Sequence, residues 1–332
     1  MLKKKFLLGL AISAFCLYLV FRNIDFAALR RSLAEVRYLY LLLALIFVFL
    51  FTFFRALRWQ YILNPVKRIK TTDLFEITTI GYLANNILPA RIGEVVRALV
   101  LSKTEGIRAA SSLATIITER FFDVITLLLI LALGSRHLPL PRAKGYIIFL
   151  AGGSFGLICV FMLLIRYKKE RLFQMIHKVF KPISGKVADR VQQSIQGFGQ
   201  GLEALRCGGN LLVVSALSVI IGLSMGAIYF FAALGFGITL SLSRLILLIS
   251  MIFLGVTIPS SPGFIGTFHY FCIKGLLLGG VKDKHLALSY AIVIHLIQYI
   301  PESLTGLFFL WKKGISLGEI HTAEVPIEAV QE

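Results

Sequence analysis

Six ionisable side chains in two short strings carry most of the chemistry this sequence can offer: Arg91, Glu94 and Arg97 in NNILPARIGEVVR, and Glu119, Arg120 and Asp123 in TERFFD. A guanidinium is a planar fork of N–H donors that meets phosphate oxygens two at a time. Arg91, Arg97 and Arg120 therefore suit an anionic headgroup, with the Asn86 amide beside them. The competing reading is that these arginines only mark the cytoplasmic face of a membrane protein. Glu119 and Asp123 stand four residues apart and share a helix face with Arg120 alongside. They either lock Arg91 or Arg97 in an ion pair between helices, or exchange protons to gate a cavity.

A second polar group lies in IPSSPGFIGTFHY, where Ser260, Ser261 and His269 flank a double break. His269 could touch a headgroup or sense pH, although a lone histidine is more often a satisfied packing residue. In the last apolar stretch, Pro301 precedes Glu302, the one carboxylate there, which must face the interior if it is embedded. Signatures of enzymes are missing: there is no HExxH, GxSxG, P-loop or dinucleotide fingerprint. The four cysteines (Cys16, Cys159, Cys207, Cys272) are scattered, without CxxC or metal-ligand spacing. No catalytic residue, metal or cofactor is expected.

These side chains must be positioned inside lipid. The 332 residues are 57% hydrophobic with a mean hydropathy of +0.83, and only 16% are charged, where soluble proteins carry about a quarter. The expected class is an all-α integral membrane protein, a polytopic bundle. A span needs about 20 mostly apolar residues. Six stretches fit: 6–21, 38–54, 111–133, 146–165, 211–234 and 286–311. The basic, apolar start resembles a secretory signal but lacks a small-residue cleavage site, so it is read as an uncleaved first span.

Two further apolar regions, 74–101 and 245–280, are broken by Pro89 and Gly93 in the first and by Pro259, Pro262, Gly263 and Gly266 in the second. A lipid-facing helix cannot carry such breaks, because the freed backbone groups find no water. Charge asymmetry decides between crossing and re-entry. Nine basic residues in 166–206 place that segment in the cytoplasm. With a cytoplasmic N-terminus and Arg55, Arg58, Lys67, Arg68 and Lys70 also inside, neither broken region can cross. Both are expected to re-enter, from opposite faces, in the manner of an inverted repeat whose corresponding breaks form a transport site.

The domain organisation is one transmembrane domain over 1–316, with a basic amphipathic cytoplasmic segment at 166–207 and an acidic, disordered tail at 317–332. The net charge of +18 lies between apolar stretches, where positive loops beside anionic lipid explain it better than nucleic acid does.

The motif Asn86, Leu88, Pro89, Arg91, Gly93, Glu94, Arg97, followed by Glu119, Arg120, Asp123 and then Pro259, Pro262, Gly263, resembles the flippase-like transmembrane family named for lysylphosphatidylglycerol synthase. That family includes the N-terminal half of the bacterial multiple peptide resistance factor. Phe264 stands where the family often has a second glycine. The resemblance extends from Met1 to about Lys313. It implies a lipid-flipping or lipid-translocating membrane domain, and with the arginines above this gives translocation of an anionic or polyprenyl-phosphate lipid between leaflets of the cell membrane, while charge asymmetry places both termini in the cytoplasm. Full-length members of the resistance-factor type carry a soluble aminoacyl-transferase. Only a short acidic tail follows here, so a transferase activity is not expected. The alternatives are a membrane-embedded enzyme or synthase subunit using Glu94, Glu119 or Asp123 as acid and base, and a scaffold for a lipid-modifying enzyme or glycosyltransferase. Such an enzyme, or a second copy of the chain, is the candidate protein partner.

Overall fold

The computed structural model describes residues 2–22, 24–88, 92–135, 208–316 and 318. The expected span at 146–165, the basic segment 166–207, the tail beyond 318, and Pro89 and Arg91 lie outside the described residues. Among the described residues all regular structure is helical. In chain order the helices are α1 (Leu2–Phe21), α2 (Phe26–Ala34), α3 (Tyr38–Leu63), α4 (Thr71–Ile87), α5 (Gly93–Glu105), α6 (Ala109–Ser135), α7 (Gly208–Gly235), α8 (Leu242–Thr257), a 3₁₀ turn (Pro262–Phe264), α9 (Thr267–Leu278) and α10 (Lys284–Lys312). Three of them, α3, α7 and α10, are long and apolar enough to cross a membrane, and α1 with α2 passes as a bent pair. Together they make a helical membrane bundle.

Local chemistry sets the helix ends. Asp25 and Asp283 cap α2 and α10 by accepting from Ala27 N and His285 N at 2.8 and 2.7 Å. α3 departs from the expected span, which stopped at Phe54. It runs on to Leu63 because no breaker occurs before Asn64 and Pro65. Arg55 and Arg58, expected in a cytoplasmic loop, are therefore helical and buried.

Both broken regions are helical hairpins. In the first, α4 and α5 run antiparallel with Gly81 against Gly93 and Arg97. A Cβ on Gly93 would overlap the Gly81 carbonyl, so only hydrogen lets the two backbones meet. In the second, Gly255 lies against Phe271 and Gly275 against Leu248, the antiparallel pairing of α8 with α9. α4 ends at Ile87 and α5 begins at Gly93, and the second break falls at 258–266, both inside the expected regions.

α10 shows that the hairpins enter the bundle from opposite ends. At its C-terminal end, Lys312 and Lys313 each reach Glu76, near the start of α4, at 2.7 Å. Moving back along α10, Gly306 lies on the Thr79 carbonyl and Ser303 Oγ accepts from Asn86 Nδ2 at 2.9 Å. Next, Tyr299 Oη donates to the Asn86 carbonyl at 3.3 Å, with its ring against Gly263. Then His295 Nε2 lies 2.9 Å from the Gly263 carbonyl. The first hairpin thus climbs one half of α10 and the second occupies the other half. Their tips meet at Tyr299, where Asn86 O and Gly263 are close neighbours.

Close packing at the glycine contacts leads to a sharp contrast. Gly93→Val should lower the thermal melting midpoint of the detergent-solubilised protein, in line with an overpacking cost of about 1–3 kcal/mol. Gly226→Val, whose Cβ meets only Leu245 Cδ2 at 3.9 Å, should leave the midpoint unchanged.

Candidate functional site

Beside the first tip, α3, α5 and α6 bring their charges together. Arg55, Arg58 and Trp59 share one face of α3, Glu119 and Asp123 one face of α6, and Glu94 and Arg97 stand three apart in the first turns of α5. α5 starts there because Asn85 reaches across the break, its Oδ1 accepting from Gly93 N at 2.8 Å and satisfying the first helical donor.

The arginines and carboxylates form one network. Arg58 Nη2 reaches Asp123 Oδ1 at 2.6 Å, and its Nη1 donates to Ser218 Oγ on α7 at 2.9 Å. Arg55 Nη2 binds the other Asp123 oxygen at 2.8 Å. Arg97 Nη2 holds Glu119 Oε2 at 2.8 Å, and its guanidinium lies 4.1 Å from the ring centre of Trp59. Trp59 is itself fixed by donating to Thr115 Oγ1 at 2.9 Å. Arg120 bridges Glu94 Oε1 at 2.9 Å and Asp123 Oδ2 at 3.3 Å.

Burial grades across this network. The Arg58 and Glu119 side chains are 0% exposed and Arg97 2%, whereas Arg120 is 40% and Glu94 29% exposed, so Arg120 and Glu94 form its open side. The Nε of Arg55, Arg58, Arg97 and Arg120, the Nη1 of Arg97 and the Tyr82 hydroxyl are buried without a hydrogen-bond partner among the described residues. Each such group costs about 1–3 kcal/mol if left unmet. The Tyr82 ring position is within electrostatic range of Arg55, Arg97, Arg120 and Glu302. The guanidinium groups give five unpartnered N–H donors in one network, with Glu119 Oε1 a buried acceptor likewise unpartnered among the described residues, and N–H donors of this kind suit a ligand rich in acceptor oxygens.

The structure brings Glu94, Arg97, Glu119, Arg120 and Asp123 into a single cluster. Of the two ion-pair options for Glu119 and Asp123, Glu119 holds Arg97, while Asp123 holds Arg55, Arg58 and Arg120. Arg97 retains only part of its fork for a ligand. Asn86 is taken up at the tip contact with Tyr299 and Ser303. Glu302 forms no ion pair among the described residues, although Arg55 is within electrostatic reach of it.

The second tip is neutral and sits against α1 and α10. Ser261 N donates to Ser13 Oγ at 2.8 Å, Ser261 Oγ donates to the Ile265 carbonyl at 3.1 Å, and Ser260 Oγ is buried and unpartnered. His269 Nδ1 accepts from Gly266 N at 3.4 Å, and its ring packs edge-on against His295. Pro262 opens the 3₁₀ turn, Gly263 and Gly266 take φ of +66° and +96°, and Pro259 is exposed. Phe264 also sits at φ +58°, a left-handed conformation that glycine adopts freely and phenylalanine does not.

Sequence reasoning missed Arg55, Arg58, Trp59, Tyr82 and Ser218. The available signal was two arginines three apart in FRALRWQYIL, a string with no helix breaker.

The model of the family described as the lysylphosphatidylglycerol synthase TM region matches residues 6–306. A UPF0104 membrane protein from Methanothermobacter thermautotrophicus is 27% identical over 266 residues, covering 77% of this chain and 78% of that protein. No solved structure matches the chain.

Because Glu119 is wholly buried between arginines, removing it alone strands charge, at a cost of about 3–5 kcal/mol for a broken buried pair. Glu119→Leu should therefore lower the melting midpoint more than the double variant Arg97→Leu/Glu119→Leu does. A double-mutant cycle that includes Arg97→Leu, read by thermal melting in detergent, checks this, and a double-variant loss equal to the sum of the two single losses would mean that the pair is not coupled.

Proposed function

The chain belongs to the family of the lysylphosphatidylglycerol synthase transmembrane region, and from that premise we propose that it moves an anionic lipid, such as an acidic phospholipid or a polyprenyl-phosphate lipid, between bilayer leaflets. The observation that carries this reading is the set of unpartnered guanidinium N–H groups in the ion-pair network of α3, α5 and α6, whose Arg97 packs on Gly81 of the first hairpin. Such donors are worth most where water is excluded and the ligand brings phosphate oxygens.

In this reading the hairpins are re-entrant. The arms of 17, 13, 16 and 12 residues are about 18–25 Å long at 1.5 Å per residue. Two hairpins tip to tip then match a bilayer of about 40–45 Å including headgroups. The end carrying Lys67, Lys312 and Lys313 faces the cytoplasm of a cell membrane, as the positive-inside rule requires. Arg120, the accessible member, exchanges Glu94 or Asp123 for a headgroup phosphate. Arg97 Nη1 and Arg55 Nε add donors from behind. The acyl chains stay in lipid while Tyr299, pinned to both tips, separates the two half-paths. No transferase chemistry is assigned to this region.

Proteoliposomes test the reading. With fluorescent phosphatidylglycerol, the protein should accelerate exchange between leaflets. Arg120→Ala should slow it about tenfold, the worth of one charge-assisted contact, while keeping its melting midpoint. If no anionic phospholipid or polyprenyl phosphate moves faster than in empty vesicles, or if Arg120→Ala moves lipid at full rate, the translocase reading fails. Mass analysis of the lipid after the assay separates the enzyme alternative, which predicts a headgroup of changed mass.

A further inference from the structure

A cavity of about 260 Å³ opens at the end of the bundle remote from Glu76, Lys312 and Lys313, between the ends of α1 and α9 and the start of α10. Its lining has two parts. Leu19, Val20, Ile273 and Leu277 form apolar walls, while Arg22, Lys274 and Lys284 supply positive charge, with Tyr270 beside them. No carboxylate lines it. The nearby acids are engaged elsewhere: Asp25 caps α2, and Asp283 caps α10 and lies 3.3 Å from His285 Nδ1.

Arg22 and Lys274 are exposed, and Lys284 is half-buried with its Nζ donating to the Arg22 carbonyl at 2.9 Å. That one bond leaves two of the three ammonium donors of Lys284 available. Lys274 Nζ stands 5.6 Å from the centre of the Tyr270 ring, which tethers it at the rim. Three cations on one cavity repel one another unless an anion joins them.

We propose that this cavity is a binding site for the phosphodiester of an anionic phospholipid, separate from the central arginine cluster. The phosphate sits among Arg22, Lys274 and Lys284, the glycerol lies beside the Tyr270 ring, and the first acyl carbons run along Leu19, Val20, Ile273 and Leu277. A free inorganic anion would use the charges but leave the apolar walls without a partner. The site goes beyond the translocation reading and does not depend on it.

Native mass spectrometry of the full chain in detergent, titrated with dioleoyl phosphatidylglycerol, dioleoyl phosphatidylcholine or inorganic phosphate, tests the proposal. One phosphatidylglycerol binding event should weaken about tenfold in Arg22→Gln/Lys274→Gln, the scale of a lost charge-assisted contact. That event should persist in Arg120→Ala, which alters only the central cluster. Phosphatidylcholine should bind equally to both proteins. Unchanged phosphatidylglycerol binding in the double variant overturns the proposal, as does loss of the same event in Arg120→Ala or its displacement by millimolar phosphate. If the double variant does not fold, Lys274→Gln at an exposed position decides, with weaker phosphatidylglycerol binding expected and no change counting against the site. The readout is binding alone, so a protein that moves no lipid still reports on this cavity.

Discussion

Arg58 has no exposed side-chain surface, and its guanidinium is shared among Asp123, Ser218 and, at 3.9 Å, Glu119. An ion held this far from water costs several kcal/mol in desolvation, and only close counter-charges on neighbouring helices offset that. The counter-charges come from α6 and the hydroxyl from α7, so burying Arg58 fixes α3, α6 and α7 relative to one another. Arg97 extends the same constraint to α5 through Glu119 and Trp59. The hairpin that α5 closes is thereby tied to the rest of the bundle by electrostatics as well as by packing.

Backbone satisfaction is the second constraint, and the two tips meet it differently. At the first, side chains cross the break: Asn85 serves Gly93 N, while Asn86 and Tyr299 join α4 to α10. At the second, Ser13 from α1 and His295 from α10 serve Ser261 N and the Gly263 carbonyl. In hydrocarbon such freed groups have no solvent partner, so each break is possible only where other helices surround it. That requirement keeps both tips at the bundle centre and makes α10, which passes both, the element that registers one hairpin against the other.

Much of this was legible in the sequence. Proline and glycine at 89, 93, 259, 262, 263 and 266 located both breaks, since their backbone chemistry is local. Helical spacing places Glu119 and Asp123 on one face, but only Glu119 meets Arg97, while Asp123 is taken by Arg55, Arg58 and Arg120. Arg55 and Arg58 were misread for a physical reason: an arginine near the end of an apolar run satisfies the positive-inside rule equally well in a loop or buried against a carboxylate. Only the partner decides, and Asp123 lies 68 residues from Arg55 in sequence. Tyr82 and Ser218 carry no local signature, and their place at the network is a product of tertiary packing.

The unequal chemistry of the two tips bears on selectivity. Cationic donors cluster beside the first, whereas the second offers Ser260, Ser261, His269 and backbone groups, and its Phe264 adopts a left-handed backbone at φ +58°. A non-glycine residue held there costs about 1–3 kcal/mol unless its surroundings compensate, and the Phe264 ring packs against the core shared by α8, α9 and α10. Glycine at that position would relax the turn but give up the packing. The second tip thus has an apolar anchor beside its hydrogen bonds, whereas the first, closed by Asn85 and Asn86, has ion pairs beside it. Ion pairs can exchange one anion for another and an apolar anchor cannot, so in the translocation reading a headgroup is recognised by its charge beside the first tip, whereas the second offers it Ser260, Ser261, His269 and backbone groups.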